Sequence, residues 1–420
     1  MSVNSANLAL SIEQSGKILN EVVHQATGQS VLAQINTGDY TSIATMALRN
    51  GYEPMTNALS QVLSKTIFAI RPYNAKFKEL RVTEEQWGNL VRKISFVDRD
   101  VIEEDPTRNL EDGKSYSPWQ VRKPVMIQTN YSGFSHFSDA VTIFKNQWDT
   151  ALTGAAQFNS FVGGIMQNML DKLEQYRENQ SRATVVNLIG GTVAGENTAI
   201  DPHGGKHPER VRHLLTDYNT EHGTSYTVAE LFADNAKFTN FAEWLAAEMD
   251  TIVQTMSERT TLYHISPAKS DSEYYNLMRH TSPDNTICYM LNSFWNKVKR
   301  TVRPGLFANE FLQYVNFEGV NFWQSIDTPE QINANVSFFK PLEDNAGVAT
   351  VYNDSAEGEI ELSYVLGVMF DRDAAGISLK NQWSMATPMD AAHGFSTTWW
   401  HEDVQWRNDN TENCVVFLLD

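Results

Sequence analysis

The chain is short of cysteine: two in 420 residues, Cys288 and Cys414, far apart in sequence. That count cannot build a disulfide framework or a thiolate metal site, and two free thiols fit a reducing compartment. It is also short of positive charge. Lys plus Arg number 33 against 51 Asp plus Glu, a formal net charge of −18. Without a basic footprint to displace counterions, a free-standing nucleic-acid binder is excluded, and so is polybasic attachment to anionic lipid. Long apolar runs are missing as well. Wholly apolar stretches such as Val415 to Leu419 fall far below the roughly 18 residues that span a bilayer. The first residues, MSVNSANLAL, hold no Lys or Arg and no long apolar core, so no secretory signal is expected. The expectation is a soluble protein made in a cytoplasm.

What is present suffices for a core. Apolar residues make up 41% of the chain and aromatic ones 11%, which argues against whole-chain disorder. The length suggests two to four structural units at roughly 100–200 residues per domain.

Residues 1 to about 70 carry short helical patterns separated by Gly and Asn: Ile12 to Val23, Tyr40 to Leu48 and Met55 to Ile70. None has a second apolar face with which to pack its neighbours, as expected of an arm that lies on something else. Val91–Val97 and Trp119–Ile127 read as strands flanking a polar stretch that holds Asp98, Asp100, Glu103, Glu104, Asp105, Glu111 and Asp112. A two-stranded ribbon does not hold itself folded well in water, so it should pack on another surface. The clearest helix follows, with Phe158, Phe161, Val162, Ile165, Met166, Met169, Leu170, Leu173 and Tyr176 in helical spacing. Gly163 and Gly164 interrupt it, which a long helix tolerates if something approaches its backbone closely, and Gly190-Gly191 reads as its stop. Residues 192–226 are polar, Gly-rich and His-rich, a loop or small insertion. Thr227 with Glu230, and then Asn240 with Glu243, carry capping-box spacing and predict two helix starts. Mixed α and β structure is expected over 260–360. Beyond it, Leu362, Tyr364, Leu366, Val368 and Phe370 alternate as one half-buried strand. Trp400, Glu402, Val404 and Trp406 share one face of another strand, and Cys414–Leu419 reads as a buried strand.

The chemical motifs are weak. His203 and His207, near Asp201 and His213, have metal-ligand spacing, but Gly204, Gly205 and Pro208 break the helix such a pair needs. From Asp98, a calcium loop would require a Gly where Glu103 stands. Gly190, Gly191 and Gly195 are followed by Glu196 and Asn197 rather than the Lys and Ser or Thr of a phosphate loop. Ten tryptophans and paired acids raise a carbohydrate-active enzyme. Glu402 and Asp403, however, should point to opposite faces of their strand, and Asp371 and Asp373 fall at a turn. No nucleophile elbow is present. No catalytic, cofactor-binding or metal-ligating residue is assigned, and no cofactor is expected.

The order of elements is more telling. It comprises Asn50 to Tyr73 leading into Lys76–Lys78 and Gly88-Asn89, then Gln128–Asn130 followed by Phe144 to Asp149 and the helix at Phe158. Arg182 to Gly191, Gly367 to Gly376, and Trp400-His401 through Asn408–Asn413 to the apolar end complete it. This order resembles the major capsid proteins of tailed bacteriophages with the Hong Kong 97-type fold, most of all those of small short-tailed phages of Gram-positive hosts. The resemblance implies an α+β fold with an N-terminal arm (1–71) and an extended β-hairpin loop (72–133) that overlies a neighbouring subunit. It further implies a peripheral domain with a long spine helix (134–239, with 192–226 as an insertion), an axial domain (240–360) and peripheral C-terminal strands (361–420). The implied function is a non-enzymatic subunit of an icosahedral shell. It would form pentamers and hexamers of itself, work with scaffolding, portal and decoration proteins, and enclose double-stranded DNA without sequence-specific binding or any membrane. An encapsulin-like compartment shares that fold class and stands as the alternative, ahead of the carbohydrate-active enzyme. An arm folded onto a neighbour buries apolar stripes that find no cover at home, and an acidic coat does not grip phosphates.

Overall fold

The computed structural model describes residues 76–82, 90–98, 112, 124–132, 134–151, 155–195, 208–266, 275, 277–301, 316–339, 343–345, 348–350, 353–390 and 392–420. The arm expected over 1–71, most of the acidic stretch after Asp98, and Asp201, His203 and His207 lie outside them. In chain order the described elements begin with β1 (Arg81–Val82), β2 (Leu90–Phe96), β3 (Met126–Ser132), β4 (Ser135–Phe144), α1 (Lys145–Ala151) and α2 (Ala155–Ala194). Next come β5 (Val211–His213), α3 (Leu214–His222), α4 (Val228–Ala233), α5 (Asn235–Ser257), β6 (Thr286–Leu291), α6 (Asn292–Thr301), β7 (Asn316–Val320) and β8 (Ile332–Phe339). The last are β9 (Glu343–Asn345), β10 (Val348–Thr350), β11 (Asn353–Leu362), β12 (Val365–Asp371), β13 (Ala375–Ala386), β14 (Phe395–Asn408) and β15 (Cys414–Leu418).

The most apolar strands form the central sheet, in the order β5-β15-β12-β6-β7. β12 runs antiparallel to both β15 and β6, while β5 and β7 join the edges in parallel. Successive side chains point to opposite faces, and here both faces are covered. Cys414, Val416, Ile287, Tyr289, Val368 and Phe370 pack against Val185, Leu188 and Ile189 of α2. The alternate set, Val415, Phe417, Cys288, Met290 and Met369, packs against Leu245, Met249 and Ile252 of α5 and Trp295 of α6. A strand covered on both faces has no position for a polar residue, which is why β15 is buried throughout. Each such side chain contributes about 1.5–3 kcal/mol of burial. At Gly367, beside a register shift in β12, an added Cβ would lie 2.2 Å from Met290 Sδ and 2.8 Å from the Tyr289 carbonyl. Only glycine fits there.

Four expectations are corrected. Residues 192–226 are not simply a loop or insertion, because β5 joins β15 in the central sheet and α3 buries Leu214, Leu215 and Tyr218 in the core. Leu362 to Phe370 is not one half-buried strand. It breaks between β11 and β12 at Tyr364, which sits exposed at φ 59°, because Val365 turns into the central sheet and donates its N–H to Glu330 O. Asn240 starts no helix. Asp234 caps α5 by accepting from Ala236 N, and the helix runs on through 240. Gly190-Gly191 does not end α2, which continues to Ala194; an added Cβ at Gly191 would meet the Asn410 side chain at 3.1 Å. The capping box at Thr227 and Glu230 is present as expected at the start of α4.

A second sheet, β1-β13-β14-β4, lies on α2. Tyr176 stacks on Phe137 with centroids 4.4 Å apart, and Arg177 donates two bonds of 2.8 Å to Glu402. Lys172 reaches Asp139 at 3.2 Å. A third sheet, β2-β3-β10-β9, contains the ribbon, with β2 and β3 antiparallel and Phe96 opposite Met126. The final sixty residues thus supply β12 and β15 to the central sheet and β13 and β14 to the second.

Candidate functional site

The acids singled out from the sequence are occupied by structural contacts. Glu402, 1% exposed, accepts from Arg177 and also from Gln382 at 3.0 Å. Asp403 points to the other face, where its Oδ1 lies 2.7 Å from His136 Nδ1. The two carboxylates therefore do not converge, as their adjacency on β14 predicts. Asp371 accepts from Thr281 Oγ1 at 2.6 Å and from Asp373 N at 2.8 Å, which makes it the organiser of a turn. His213 sits 2.7 Å from Asp420. Among the described residues no group of three His, Cys, Asp or Glu is placed to hold a metal ion. Both cysteines are buried within the core, and burial holds both thiols above the ordinary range. A cleft of about 370 Å³ lies beside α2, lined by Lys76, Asp171, Glu178, Arg182 and Phe322. Arg182 stacks over the Phe322 ring at 3.9 Å and is paired with Glu178 at 3.1 Å, so the charges there offset each other.

Two surfaces invite a macromolecular partner instead. The first is the outer face of the second sheet. Trp383 stacks on His401 with centroids 5.0 Å apart and an interplanar angle of 17°, and His401 stacks on His136. Trp399 and Met385 are exposed beside them. The second is the ribbon, both of whose faces are mixed. Ile94 (57% exposed), Phe96 (64%) and Met126 face out, beside Arg92 and Asn130. Lys93 and Ser95 face in, beside Val91, Val97 and the buried Ile127. Lys93 Nζ lies 2.6 Å from Asp409 Oδ2 and 2.5 Å from Glu412 Oε1. Arg279 donates from Nε to Thr411 O at 3.0 Å and from Nη2 to Ser95 Oγ at 2.9 Å, and sits 3.3 Å from Glu412. Asp98 accepts from Met278 N at 2.9 Å and pairs with Arg259.

Burial shapes the protonation of this cluster. It would lower the Lys93 ammonium, but the carboxylates of Asp409 and Glu412 outweigh it and hold Lys93 above its ordinary value. For Asp409 burial works upward, yet Lys93 and the Thr411 hydrogen bonds prevail and hold it below the usual carboxylate range. For Glu412 burial prevails over Lys93 and Arg279, so it lies above that range. The four charges sum to zero within the cluster, so its stability needs no outside counter-ion.

Sequence reasoning identified the strand carrying Lys93 but not the anchor. The alternation of Val91–Val97 places Val91, Lys93, Ser95 and Val97 on one face and Arg92, Ile94 and Phe96 on the other. Both faces mix polar and apolar residues, so the pattern does not say which turns inward. The available signal was a basic residue midway along a strand that needs a supporting surface.

A family model described as Phi29-like phage major capsid protein matches residues 19–418. Comparison with curated proteins gives no match. Among solved structures, the chain is similar to one in the capsid structure of Staphylococcus phage Andhra, with 12% identity over 84% of this chain and 87% of that one and a TM-score of 0.47. A chain from the structure of the head fiber and inner core protein of native bacteriophage P68 is 12% identical, covering 83% and 85%, with a TM-score of 0.48. One from the mature capsid of bacteriophage PhiM1 is 10% identical, covering 83% and 87%, with a TM-score of 0.42.

Proposed function

Because the chain belongs to the Phi29-like phage major capsid proteins, it is a structural subunit of a multi-subunit virion shell, and we propose that this shell is an icosahedral head enclosing the double-stranded DNA of a tailed phage. The observation that supports the reading is the exposed outer face of the ribbon. Ile94, Phe96 and Met126 are left open while Lys93 and Ile127 on the other face are held against the body. A monomer gains nothing from that arrangement. A subunit that lays the ribbon on a neighbouring copy buries it.

On this reading residues 72–133 are the extended loop that overlies a neighbour, and 1–71 an arm that crosses to one. The unit built on α2 with β4, β13 and β14 is peripheral. The central sheet with α3, α5 and α6 is axial, around five- and six-fold positions, and it borrows β12 and β15 from the C-terminal stretch. Scaffolding, portal and decoration proteins are the expected partners. The net charge of −18 leaves packaged DNA free of strong phosphate contacts. No reaction is assigned to the chain.

The test is electron microscopy and sedimentation of the purified protein across salt and concentration. Closed shells or pentameric and hexameric rings are the expected result. A monomer that remains monomeric under every assembly condition would overturn the proposal.

A further inference from the structure

We propose that Lys93 and Arg279 are positioning residues for assembly: with Asp409 and Glu412 they fix the angle at which the ribbon leaves the body, and so where Ile94, Phe96 and Met126 meet a second copy. The inference rests on the shell-forming reading and goes beyond it by naming what aims the contact.

β2 is the edge strand of its sheet and meets β10 only through β3, and so small a sheet does not fix its own direction without a surface to pack on. Apolar support for this ribbon comes from Ile127 and Tyr275 with Val97 and Val125 at its base and from Val91 beside Ile377 and Trp406, and such contacts are tolerant of sliding. Charge-assisted hydrogen bonds are not. Lys93 spans two carboxylates of one tight turn, while the Arg279 guanidinium joins that turn to Ser95 of β2. Two points on β2, the side chains of Lys93 and Ser95, are therefore held on one turn, and Asp98 adds a third on residues 259 and 278. Three points define an orientation. The side chains are 24% (Lys93), 2% (Asp409) and 9% (Glu412) exposed, so water and salt screen them little.

The turn is itself well placed. Residues 409–413 join β14 of the second sheet to β15 of the central one. Asp409 N donates to Ala374 O, and Asn413 O accepts from Asp371 N. Asp409 also accepts from Thr411 N at 2.9 Å and Thr411 Oγ1 at 2.6 Å, so its carboxylate is held in place before Lys93 arrives. The ribbon is thus tied to the joint between the two sheets of the body, and any change in the angle between them would be passed to it.

The experiment compares wild type, Lys93→Met, Lys93→Arg and Arg279→Gln by hydrogen exchange and by particle assembly. Lys93→Met should raise exchange at least tenfold in 90–96 and 126–132, leave 286–291 and 414–418 unchanged, and cut the yield of regular shells at least tenfold. Lys93→Arg should recover a substantial part of both. Should Lys93→Met fail to fold, Arg279→Gln, which keeps Lys93 and both carboxylates, should show the same pairing of loosened ribbon and lost assembly. Loosened ribbon with wild-type shells would overturn the proposal, and so would unchanged exchange. Assembly of the wild type alone reads the shell-forming property, so a failure there is distinguishable from a failure of the anchor.

Discussion

The central sheet and the ribbon are both built from strands, yet they solve the burial problem in opposite ways. β15 and β12 bury every apolar side chain against α2 on one face and α5 and α6 on the other. The ribbon ties Lys93 and Ser95 down by polar contacts and leaves Ile94, Phe96 and Met126 in water. The difference teaches what each is for. A sheet with two apolar faces covered at home is complete within one chain. One fastened by ion pairs, with Ile94, Phe96 and Met126 outward, leaves apolar surface exposed on the single chain. The contrast also predicts different sensitivities: core truncations should act on folding, and ribbon substitutions on attachment or on contact with a second copy.

The comparison breaks most visibly in the core. Phe417 is fully buried among the helices on one face of the central sheet. Phe417→Ala should cost about 3–5 kcal/mol, read as a lower urea midpoint, and should loosen the central sheet and the ribbon together. A loss confined to the ribbon would contradict the division drawn here.

The next largest effect belongs to the anchor. Asp409→Asn removes a buried acceptor from Lys93 and should cost about 3 kcal/mol. Because its folded pKa is lowered, Asp409 contributes stability that is present above the ordinary carboxylate range and lost as pH falls through the lowered value. The mutant should therefore be weakest relative to wild type at neutral pH and converge with it in strong acid. Lys93 works in the other direction. Its pKa is raised above 10.5, so its contribution is present below that value and lost as the pH rises through the folded one. Hydrogen exchange of 90–96, corrected for intrinsic rate, should stay protected through the ordinary lysine range and open only as the pH rises through the raised value. In Lys93→Arg the opening should move to higher pH, since guanidinium stays protonated.

The two regions were not equally legible in the sequence. β15 could be read because a strand covered on both faces is apolar at every position, and α4 because its box lies within four residues. The α+β class and the order of elements followed from patterns of that kind. The break at Tyr364 could not be read, since Leu362 and Leu366 continue the alternation across it while the backbone turns. Asn240 matched a local motif that Asp234 had already pre-empted. The anchor was illegible for another reason: Lys93 and Asp409 are 316 positions apart, and only topology brings β2 beside the joint between β14 and β15. Alternation gave the two faces of the ribbon but not which one turns inward. That depends on the turn at 409–413, about which local periodicity is silent.

A smaller effect sharpens the outer face. Phe96→Ser removes an exposed ring, so the urea midpoint should shift by no more than about 0.5 kcal/mol in equivalent stability. Shell yield should fall sharply all the same. A large loss of stability with shells intact would place Phe96 in the core of its own chain and not at a contact.

The smallest effect separates the two carboxylates. Glu412 shares Lys93 with Asp409, but burial outweighs its partners and its folded pKa is raised. A raised carboxyl contributes stability below the ordinary carboxylate range and loses it as pH rises through the folded value, so at neutral pH the ionised form is held at a cost. Glu412→Gln removes that cost together with the pairs to Lys93 and Arg279, and the net change at pH 7 should lie within about 0.5 kcal/mol. Any advantage of the mutant should shrink on acidification, as Glu412 in the wild type takes up its proton and the cost disappears. Urea titrations at pH 7 and pH 5 read this directly. A loss at pH 7 as large as that of Asp409→Asn would mean that Glu412 holds Lys93 as strongly as Asp409 does, in spite of the burial that raises its pKa.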